Sequence, residues 1–230
     1  MDVSARIRKI KLFSELDQPA FEQLFSDLSP HIIVRHVPTK YLVVEEDDVP
    51  THLIILLKGG AKWTSSNMEG KEYTMATTAK PCILTLLLPA VNRAPHFARI
   101  TTTMESELAI IPLDAFLEAM ERCPSFKNII FSCICRRAIR ATNLSDILRF
   151  SSPHNRIASI LLMECTEKSN YTFRFPFNIS DFAYFLNLAR PTLSKELHAM
   201  EAQGLIELGK QHIRVPDTEA LRKSMISGNK

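Results

Sequence analysis

The pattern of apolar positions changes character near residue 112. Before that point the apolar runs are short, rich in β-branched residues and separated by Pro or Gly, as in 31-HIIVRHV-37, 52-HLIILLKGG-60 and 107-ELAIIP-112. Closely spaced runs of this kind predict an antiparallel β-sandwich or barrel. A short helix is predicted ahead of them at 19-PAFEQLFSDL-28, with Asp17 as its N-cap.

After Pro112 the spacing becomes helical. The segment 113-LDAFLEAMERC-123 forms one predicted helix, and 125-SFKNIIFSCICRRAIRATNLSDILRF-150 follows it without Pro or Gly. Within the second segment, residues recur alternately four and three positions apart, which is the seam that joins two helices in a coiled coil. The predicted seam consists of Ile130, Ile134, Arg137, Ala141, Leu144 and Leu148. We interpret it as a homodimer seam, and the alternative is a helix packed on its own domain. The charge of Arg137 predicts that this side chain pairs, reaches solvent or faces a ligand cavity.

A helix-turn-helix followed by a wing is predicted over residues 178–215. Asn178 or Ser180 caps a first helix over 181-DFAYFLNL-188, and after a short turn a second helix runs from about Arg190 to Gln203. Two short strands then form the wing, 205-LIEL-208 and 212-HIRV-215. A Ser/Pro cluster, 151-SSPHN-155, separates this small domain from the preceding helix.

The second helix of this motif carries side chains suited to recognising DNA. Its inward face is formed by Leu193, Leu197 and Met200, and its outward face holds Arg190, Thr192, Ser194 and Lys195. Arg and Lys donate to guanine O6 and N7 in the major groove, and hydroxyls donate to phosphates or base edges. The alternative is an ordinary helical hairpin with a charged outer face.

Composition narrows the class of protein further. The 230 residues carry a formal net charge of only +3, so any basic footprint for nucleic acid must be local. Five cysteines, an odd number without a C-x-x-C pair, predict reduced thiols in a cytoplasmic protein. The amino terminus has no apolar signal-peptide core, and no apolar run is long enough to span a bilayer. No catalytic motif is present, so we do not expect an enzyme. Because no run could span a bilayer, we do not expect a membrane partner either.

The order of these elements resembles the cyclic-AMP receptor protein/FNR (Crp/Fnr) family of bacterial transcription factors. Three segments carry the resemblance: 52-HLIILLKGGAKWTSSNMEGKEY-73, 155-NRIASILL-162, similar to G-R-I-A-x-x-L-L, and 189-ARPTLSKELHAMEAQGLI-206, similar to S-R-x-T-[LV]-[SG]-R-x-L-x-x-[LM]-E-x-x-G-[LI]-I. The resemblance implies an α+β chain in three parts. They are a double-stranded β-roll sensor of the cyclic-nucleotide-binding jelly-roll type over 1–123, a long dimerisation helix over 124–150, and a winged helix-turn-helix DNA-binding domain over 151–230.

The resemblance also assigns roles to single residues. Arg190, Ser194 and Lys195 match the family's base-recognising positions, and Thr192 matches a phosphate contact. Pro191 stands where the family commonly has Glu, which removes an acceptor for cytosine N4. Ser180, at the start of the first helix, completes the predicted DNA-binding set of six residues. The implied partners are double-stranded DNA with a two-fold symmetric site, a second copy of the chain and RNA polymerase.

The sensor is less well defined by the sequence. The family's cyclic-nucleotide cassette has Gly-Glu and Arg-Ser pairs where this chain has Thr85-Leu86 and His96-Phe97, so cyclic AMP is not expected. No cysteine precedes Cys82, which argues against an FNR-type iron–sulfur cluster. The predicted effector pocket contains Leu84, Leu86, His96, Arg137 and Thr142, with no metal. The cofactor stays unassigned. Haem remains open, with His31, His36, His52 or His96 as axial ligand, as do an apolar ligand, a thiol switch, no ligand at all, and a ligand-binding module without DNA function.

Overall fold

The computed structural model describes residues 2–66, 70, 72–85, 94–166, 170–174, 178–210 and 212–227, with the backbone alone at 174, 226 and 227. Contacts between Cα atoms divide the chain into two units, Met1–Ala138 and Ile139–Lys230. The division lies inside the long helix, between the predicted boundaries at 123 and 150, which stay predictions. None of the described helices is both long and apolar enough to cross a membrane.

The first unit begins with short helices that the sequence largely did not predict. The helices are α1 (Val3–Arg8), α2 (Lys11–Ser14) and α3 (Gln18–Leu28), followed by a 3₁₀ turn at Ser29–His31. Helix α3 was predicted, and its N-cap is Asp17, whose carboxylate accepts from the Ala20 amide at 2.8 Å. Helix α1 is held at the sheet by an ion pair in which both Arg6 terminal nitrogens contact Glu107, at 2.6 and 2.7 Å.

Eight strands follow and form the predicted antiparallel sandwich. They are β1 (Ile33–Val37), β2 (Leu42–Val44), β3 (His52–Lys58), β4 (Ala61–Ser66), β5 (Glu72–Thr78), β6 (Cys82–Ile83), β7 (Arg99–Thr102) and β8 (Ser106–Pro112). One sheet has the order β1-β8-β3-β6 and the other β2-β7-β4-β5, with antiparallel pairing throughout the described ladders.

The continuously apolar sequence of strand β3 reflects its packing on both faces. Leu53, Ile55 and Leu57 belong to the core shared with the helices, whereas Ile54 and Leu56 belong to the core between the two sheets. Successive side chains of a strand point to opposite faces. Because both faces of β3 are covered, all five residues are buried and the alternation of a half-exposed strand disappears.

Two helices lead out of the sandwich, α4 (Leu113–Arg122) and α5 (Pro124–Leu148). Pro124 ends α4, as predicted, and also opens α5, where a proline is tolerated because the first-turn amides have no partner within the helix. The amino-terminal part of α5 packs through Phe126, whose ring stacks on Phe13 at 5.1 Å and meets Phe116 edge-on at 6.0 Å. Helix α5 has 25 residues and is roughly 37 Å long.

The second unit contains the predicted helix-turn-helix and additional elements. Its elements after α5 are α6 (Pro153–Glu164), β9 (Thr172–Arg174), α7 (Ile179–Phe185), α8 (Arg190–Ala202), β10 (Glu207–Leu208), β11 (His212–Arg214) and α9 (Thr218–Ser227). The wing has three strands in the order β10-β11-β9, because the unpredicted β9 joins the two predicted strands. Phe173 of β9 packs on Phe182 of α7, with ring centroids 5.4 Å apart, and so ties the wing to the motif.

Candidate nucleic-acid interface

Helix α7 begins at a side-chain cap. The Asn178 side-chain oxygen accepts from the Asp181 amide at 2.9 Å, which satisfies one of the amides that lack a partner within the helix. The sequence left Asn178 and Ser180 as alternatives, and the cap is Asn178. Ser180 is exposed in the first turn of the helix, where its hydroxyl is accessible.

The turn between α7 and α8 depends on one residue in the left-handed region. Asn187 has a φ of 52° and donates its amide to the Tyr184 carbonyl at 2.9 Å, while the Leu188 amide donates to the Ala183 carbonyl at 2.8 Å. Asn adopts this conformation at lower cost than most residues other than Gly. The sequence predicted a turn here but did not single out Asn187.

Helix α8 has the two faces that its sequence predicted. Leu193, Leu197 and Met200 are 0%, 4% and 0% exposed and pack in the core of the second unit. All five predicted contact residues of this helix lie at exposed positions, namely Arg190, Pro191, Thr192, Ser194 and Lys195. The helix is therefore anchored on one side and presents its predicted recognition residues on the other.

The amino terminus of α8 has no side-chain cap. Ala189 occupies the N-cap position and Pro191 lies in the first turn. Ala has no acceptor, and Pro has no backbone N–H, so the Thr192 amide is the remaining donor that an N-cap side chain could satisfy. The family signature has Ser at the position of Ala189.

The charges of α8 are distributed in favour of an anionic partner. Within the part of the chain that the structure describes, neither Arg190 nor Lys195 has a carboxylate within 4.0 Å. The acidic residues of the helix are engaged elsewhere: Glu196 contacts His154 at 2.9 Å, and Glu201 accepts from the Leu208 amide at 3.0 Å. The two cations are thus available to phosphates or base edges.

One further residue extends the outward face and was missed by the sequence analysis. The His198 side chain is 70% exposed, with Nδ1 3.6 Å from the Glu201 carboxylate. His198 lies three and four positions after Lys195 and Ser194, and residues at this spacing share one face of a helix. That spacing was the signal that could have found it.

The wing places a basic residue at its turn. Lys210 is exposed between β10 and β11, and the Gly209 amide donates to the His212 carbonyl at 2.8 Å. A Cβ on Gly209 would lie 2.1 Å from the ring of His212, so a larger residue at this position would need that exposed ring to move. Gln211, which precedes the second predicted strand of the wing in the sequence, lies outside the described residues.

Comparison with known proteins places this arrangement in a family. Residues 34–123 match the cyclic nucleotide-binding domain family, and residues 155–224 match the Crp-like helix-turn-helix domain family, so that the two matches together cover more than half of the chain. The chain belongs to the Crp/Fnr family of transcriptional regulators. It is accordingly a Crp/Fnr-type regulator with a cyclic-nucleotide-binding-like sensing domain and a helix-turn-helix.

Individual relatives of this regulator are distant in sequence. The cyclic AMP receptor protein of Thermus thermophilus is 22% identical over 178 residues, which are 77% of this chain and 81% of the relative. The crystal structure of the Thermus thermophilus catabolite activator protein matches with a TM-score of 0.54 at 20% identity, over 94% of this chain and 98% of that chain. FixK2 from Bradyrhizobium japonicum matches with a TM-score of 0.63 at 14% identity, over 84% of this chain and 96% of that chain. These similarities show a shared fold.

The long helix of the regulator distributes the six predicted seam residues over different surroundings. Ile130 is 3% exposed and, with Ile134, packs on the core of its own unit, which is the alternative that the sequence left open. Leu144 packs on the core of the second unit, Leu148 is half-buried, and Arg137 and Ala141 are exposed. The seam itself stays a prediction.

The predicted effector residues lie at several places. Leu84 is fully buried between the sheets, and its carbonyl accepts from the Trp63 indole at 3.3 Å. Beside it, the buried Thr85 hydroxyl accepts from the Ile54 amide at 3.0 Å. Thr142 is exposed on α5, and Leu86 lies outside the described residues. The roll therefore uses Leu84 and Thr85 for its own structure.

His96 is, with Leu84, a buried member of the predicted effector set. Its side chain is 3% exposed, and it lines a cavity of about 180 Å³ together with Asp48 and His52. Burial lowers the pKa of His96, while the nearby Asp48 carboxylate opposes that shift. The backbone fixes this position, because the His96 amide donates to the Asp48 backbone carbonyl at 2.9 Å and the His96 carbonyl accepts from the Asp47 amide at 2.7 Å.

The remaining candidates for a cofactor or redox site are scattered. His31, His36 and His52 are all exposed, and no group of three or more His, Cys, Asp or Glu suited to a metal occurs among the described residues. Burial raises the pKa of the Cys82 thiol, and burial with the adjacent Glu164 raises the pKa of Cys165 to about 11. Neither shift favours the reactive thiolate.

Proposed function

We propose that this regulator binds a two-fold symmetric DNA site as a homodimer and recognises its sequence through α8. The observation that carries the proposal is the exposed row of Arg190, Ser194 and Lys195 on a helix whose opposite face is fully buried. A helix held in this way can enter a major groove, where its amino-terminal side chains meet base edges. No enzymatic activity is proposed, and the proposed location is the cytoplasm with RNA polymerase as partner.

Selection of binding sites from a random double-stranded library tests the proposal directly. The full-length protein should enrich an inverted repeat with half-sites about one helical turn apart. On that site Arg190→Ala should cost about 1–3 kcal/mol and relax preference at one base pair per half-site. Arg222→Ala, which removes an exposed arginine of α9, is the matched control.

Each outcome of this experiment tests a different part of the proposal. Equal affinity of Arg190→Ala and the Arg222→Ala control for the selected site would contradict recognition by α8. Failure to enrich any sequence at low salt would contradict DNA binding as such. Lys195→Ala should also lower the slope of binding against salt concentration by about one if it contacts a phosphate.

The dimer proposal rests on apolar side chains that α5 leaves exposed. Phe131 is 68% exposed and Ile139 is 62% exposed, the two highest values among the large apolar residues that the structure describes. The seam spacing of four and three residues runs from Phe131 through Cys135 and Ala138 to Thr142, one position after the predicted seam. A second copy of α5, packed along this face, would cover it.

Cysteine cross-linking distinguishes the two seams. A variant that keeps Cys135 alone, with the other cysteines replaced by Ala, should form a disulfide-linked dimer under mild oxidation. The matched variant that keeps Cys133 alone should not, because Cys133 packs on the core of its own unit. Cross-linking through Cys133 would contradict the proposed face, and a single-chain mass in solution would contradict the dimer.

The signal that gates the regulator is proposed not to be cyclic AMP, although a relative is named for it. A ribose and a cyclic phosphate need hydrogen-bond donors and a positive charge. The Thr85 hydroxyl already accepts from Ile54, and His96 is buried with a lowered pKa. Calorimetric titration with cyclic AMP should show no binding at millimolar nucleotide, and the absorption spectrum of the purified protein tests haem through its Soret band.

A further inference from the structure

Arg156 connects two backbone segments on either side of the first turn of α6. Its Nε donates to the Phe150 carbonyl at 2.6 Å, and its Nη1 donates to the Asn187 carbonyl at 2.9 Å and to the Leu186 carbonyl at 3.3 Å. Arg156 as a whole is half-buried. All these residues belong to the second unit.

The two segments have different roles in the fold. Phe150 lies just beyond the end of α5, where its amide still donates to the Ile147 carbonyl at 3.2 Å. Leu186 and Asn187 form the turn between α7 and α8, immediately before the recognition helix. Carbonyls at the end of a helix lack partners within it and attract a cation, so the turn is a natural acceptor for Arg156.

The contact requires arginine because the bonds run in two directions. A guanidinium presents several donors in a rigid plane, so one edge reaches Phe150 while the other reaches the turn. The ammonium of a lysine is a single point on a flexible stem and can satisfy one of the two segments at a time.

A neighbouring contact ties the same turn of α6 to the recognition helix. His154 lies two residues before Arg156, and its ring contacts the Glu196 carboxylate of α8 at 2.9 Å and the Ser224 hydroxyl of α9 at 2.8 Å. The first turn of α6 is thus bound to α8 near its middle and, through Arg156, to the turn where α8 begins.

We propose that Arg156 is a positioning residue that fixes the direction of the recognition helix relative to the end of the long helix. It contacts no DNA. In a dimer joined through α5, this direction determines the separation and angle of the two recognition helices, and so the half-site spacing that the protein accepts. The inference rests on the proposed function, since it presumes a dimer on a two-fold site.

The test compares affinities for operators of altered spacing. The probes are the selected inverted repeat and versions with one base pair added to or removed from its centre. The wild type should lose at least about tenfold in affinity on the altered sites. Arg156→Lys should bind the selected site more weakly and lose clearly less on the altered sites. A purely structural weakening would lower all affinities by the same factor and leave the spacing penalty unchanged.

Two controls separate the proposal from other effects. Arg149→Lys makes the same chemical change at an exposed arginine near the end of α5 and should match the wild type. Arg190→Ala should weaken binding to all three probes by the same factor, because it removes a contact with DNA and leaves the direction of α8 unchanged. If Arg156→Lys does not fold, a glycine inserted between residues 150 and 151 loosens the same connection and should also reduce the spacing penalty.

Each result is decisive. A folded Arg156→Lys dimer with the wild-type spacing penalty would overturn the proposal, as would a glycine insertion that retains it when the lysine variant is unfolded. Absence of any operator for the wild type would instead overturn the proposed function. Circular dichroism and solution mass of each variant confirm that folded dimers are compared.

Discussion

The recognition helix lacks the side-chain cap that its neighbours have, and adding one gives a quantitative test of the structure. In the same unit, Ser152 caps α6, Asn178 caps α7, and Asp217 accepts from the Ala220 amide at the start of α9 at 3.0 Å. Helix α8 has Ala189 instead. We predict that Ala189→Ser stabilises this helix.

The size of the effect follows from the donors available. A serine hydroxyl at the N-cap accepts from the amide of the second or third helical residue. Here the second is Pro191, which has no N–H, so only the Thr192 amide can be satisfied. One bond of this kind contributes about 1 kcal/mol, with a range of roughly 0.5–2 kcal/mol. Amide exchange of α8 should therefore slow about fivefold.

Hydrogen exchange with mass spectrometry measures this locally, without assuming that the two units unfold together. Peptides covering 193–202 should exchange about fivefold more slowly in Ala189→Ser than in the wild type. Ala202→Ser, at the other end of the same helix, should not slow exchange, because the amides of residues 203–205 already donate to carbonyls of the helix. Asn178→Ala should accelerate exchange of α7 by a similar factor. Unchanged or faster exchange in α8 of a folded Ala189→Ser protein would refute the reasoning.

Three further predictions test other parts of the chain. Asn187→Val should destabilise the second unit by about 1–2 kcal/mol in urea unfolding, because a β-branched residue is strained at a φ of 52°, whereas Asn187→Gly should not. The pKa of His96 is lowered from 6.5, so unfolding takes up a proton and the stability of the roll should decrease as pH falls below about 6.5. The fluorescence of Trp63, the single tryptophan, reports this unfolding, and His96→Phe should flatten the dependence of stability on pH. Cys165, with its pKa raised to about 11, should resist iodoacetamide at pH 8 in the folded protein, and alkylation at the rate of an unfolded peptide would contradict its burial.

The parts of the fold that local patterns encode were predictable from the sequence. The helix-turn-helix was located because the buried positions Leu193, Leu197 and Met200 recur at helical spacing within one short segment. The same holds for α3, where Asp17 and the proline after it mark the beginning of the helix. In both cases the information lies within a few residues, so no tertiary contact is needed to recover it.

Elements that exist only through distant contacts were not predictable. Strand β9 has three residues, too few for a periodic signal, and is defined by pairing with β11 about forty residues later. Helices α1 and α2 are held by buried side chains such as Phe13 and by the Arg6–Glu107 pair, which joins residues far apart in sequence. Short helices of this kind have little stability of their own.

The long helix has two apolar faces, and the spacing of apolar residues in the sequence does not tell them apart. The amino-terminal half of α5 has one apolar face on its own unit, with Ile130 and Ile134, and another at Phe131. Heptad spacing in the sequence does not separate these two apolar faces, and the alternating series that it indicates starts at Ile130. A shift by one residue turns the face by about 100° around the helix.

Arg137 favours the proposed seam that begins at Phe131 over the predicted seam that begins at Ile130. In the predicted seam it is an unexplained charge among apolar residues, which a dimer interface would have to neutralise. In the structure it lies near β6, close enough that its charge acts to lower the pKa of Cys82 against the larger effect of burial. Ile130 and Ile134 of the predicted series therefore lie on the side of α5 that faces its own roll, and Arg137 follows them with access to solvent. The series beginning at Phe131 has no charge from Phe131 to Thr142, which is the property that a helix-to-helix seam requires.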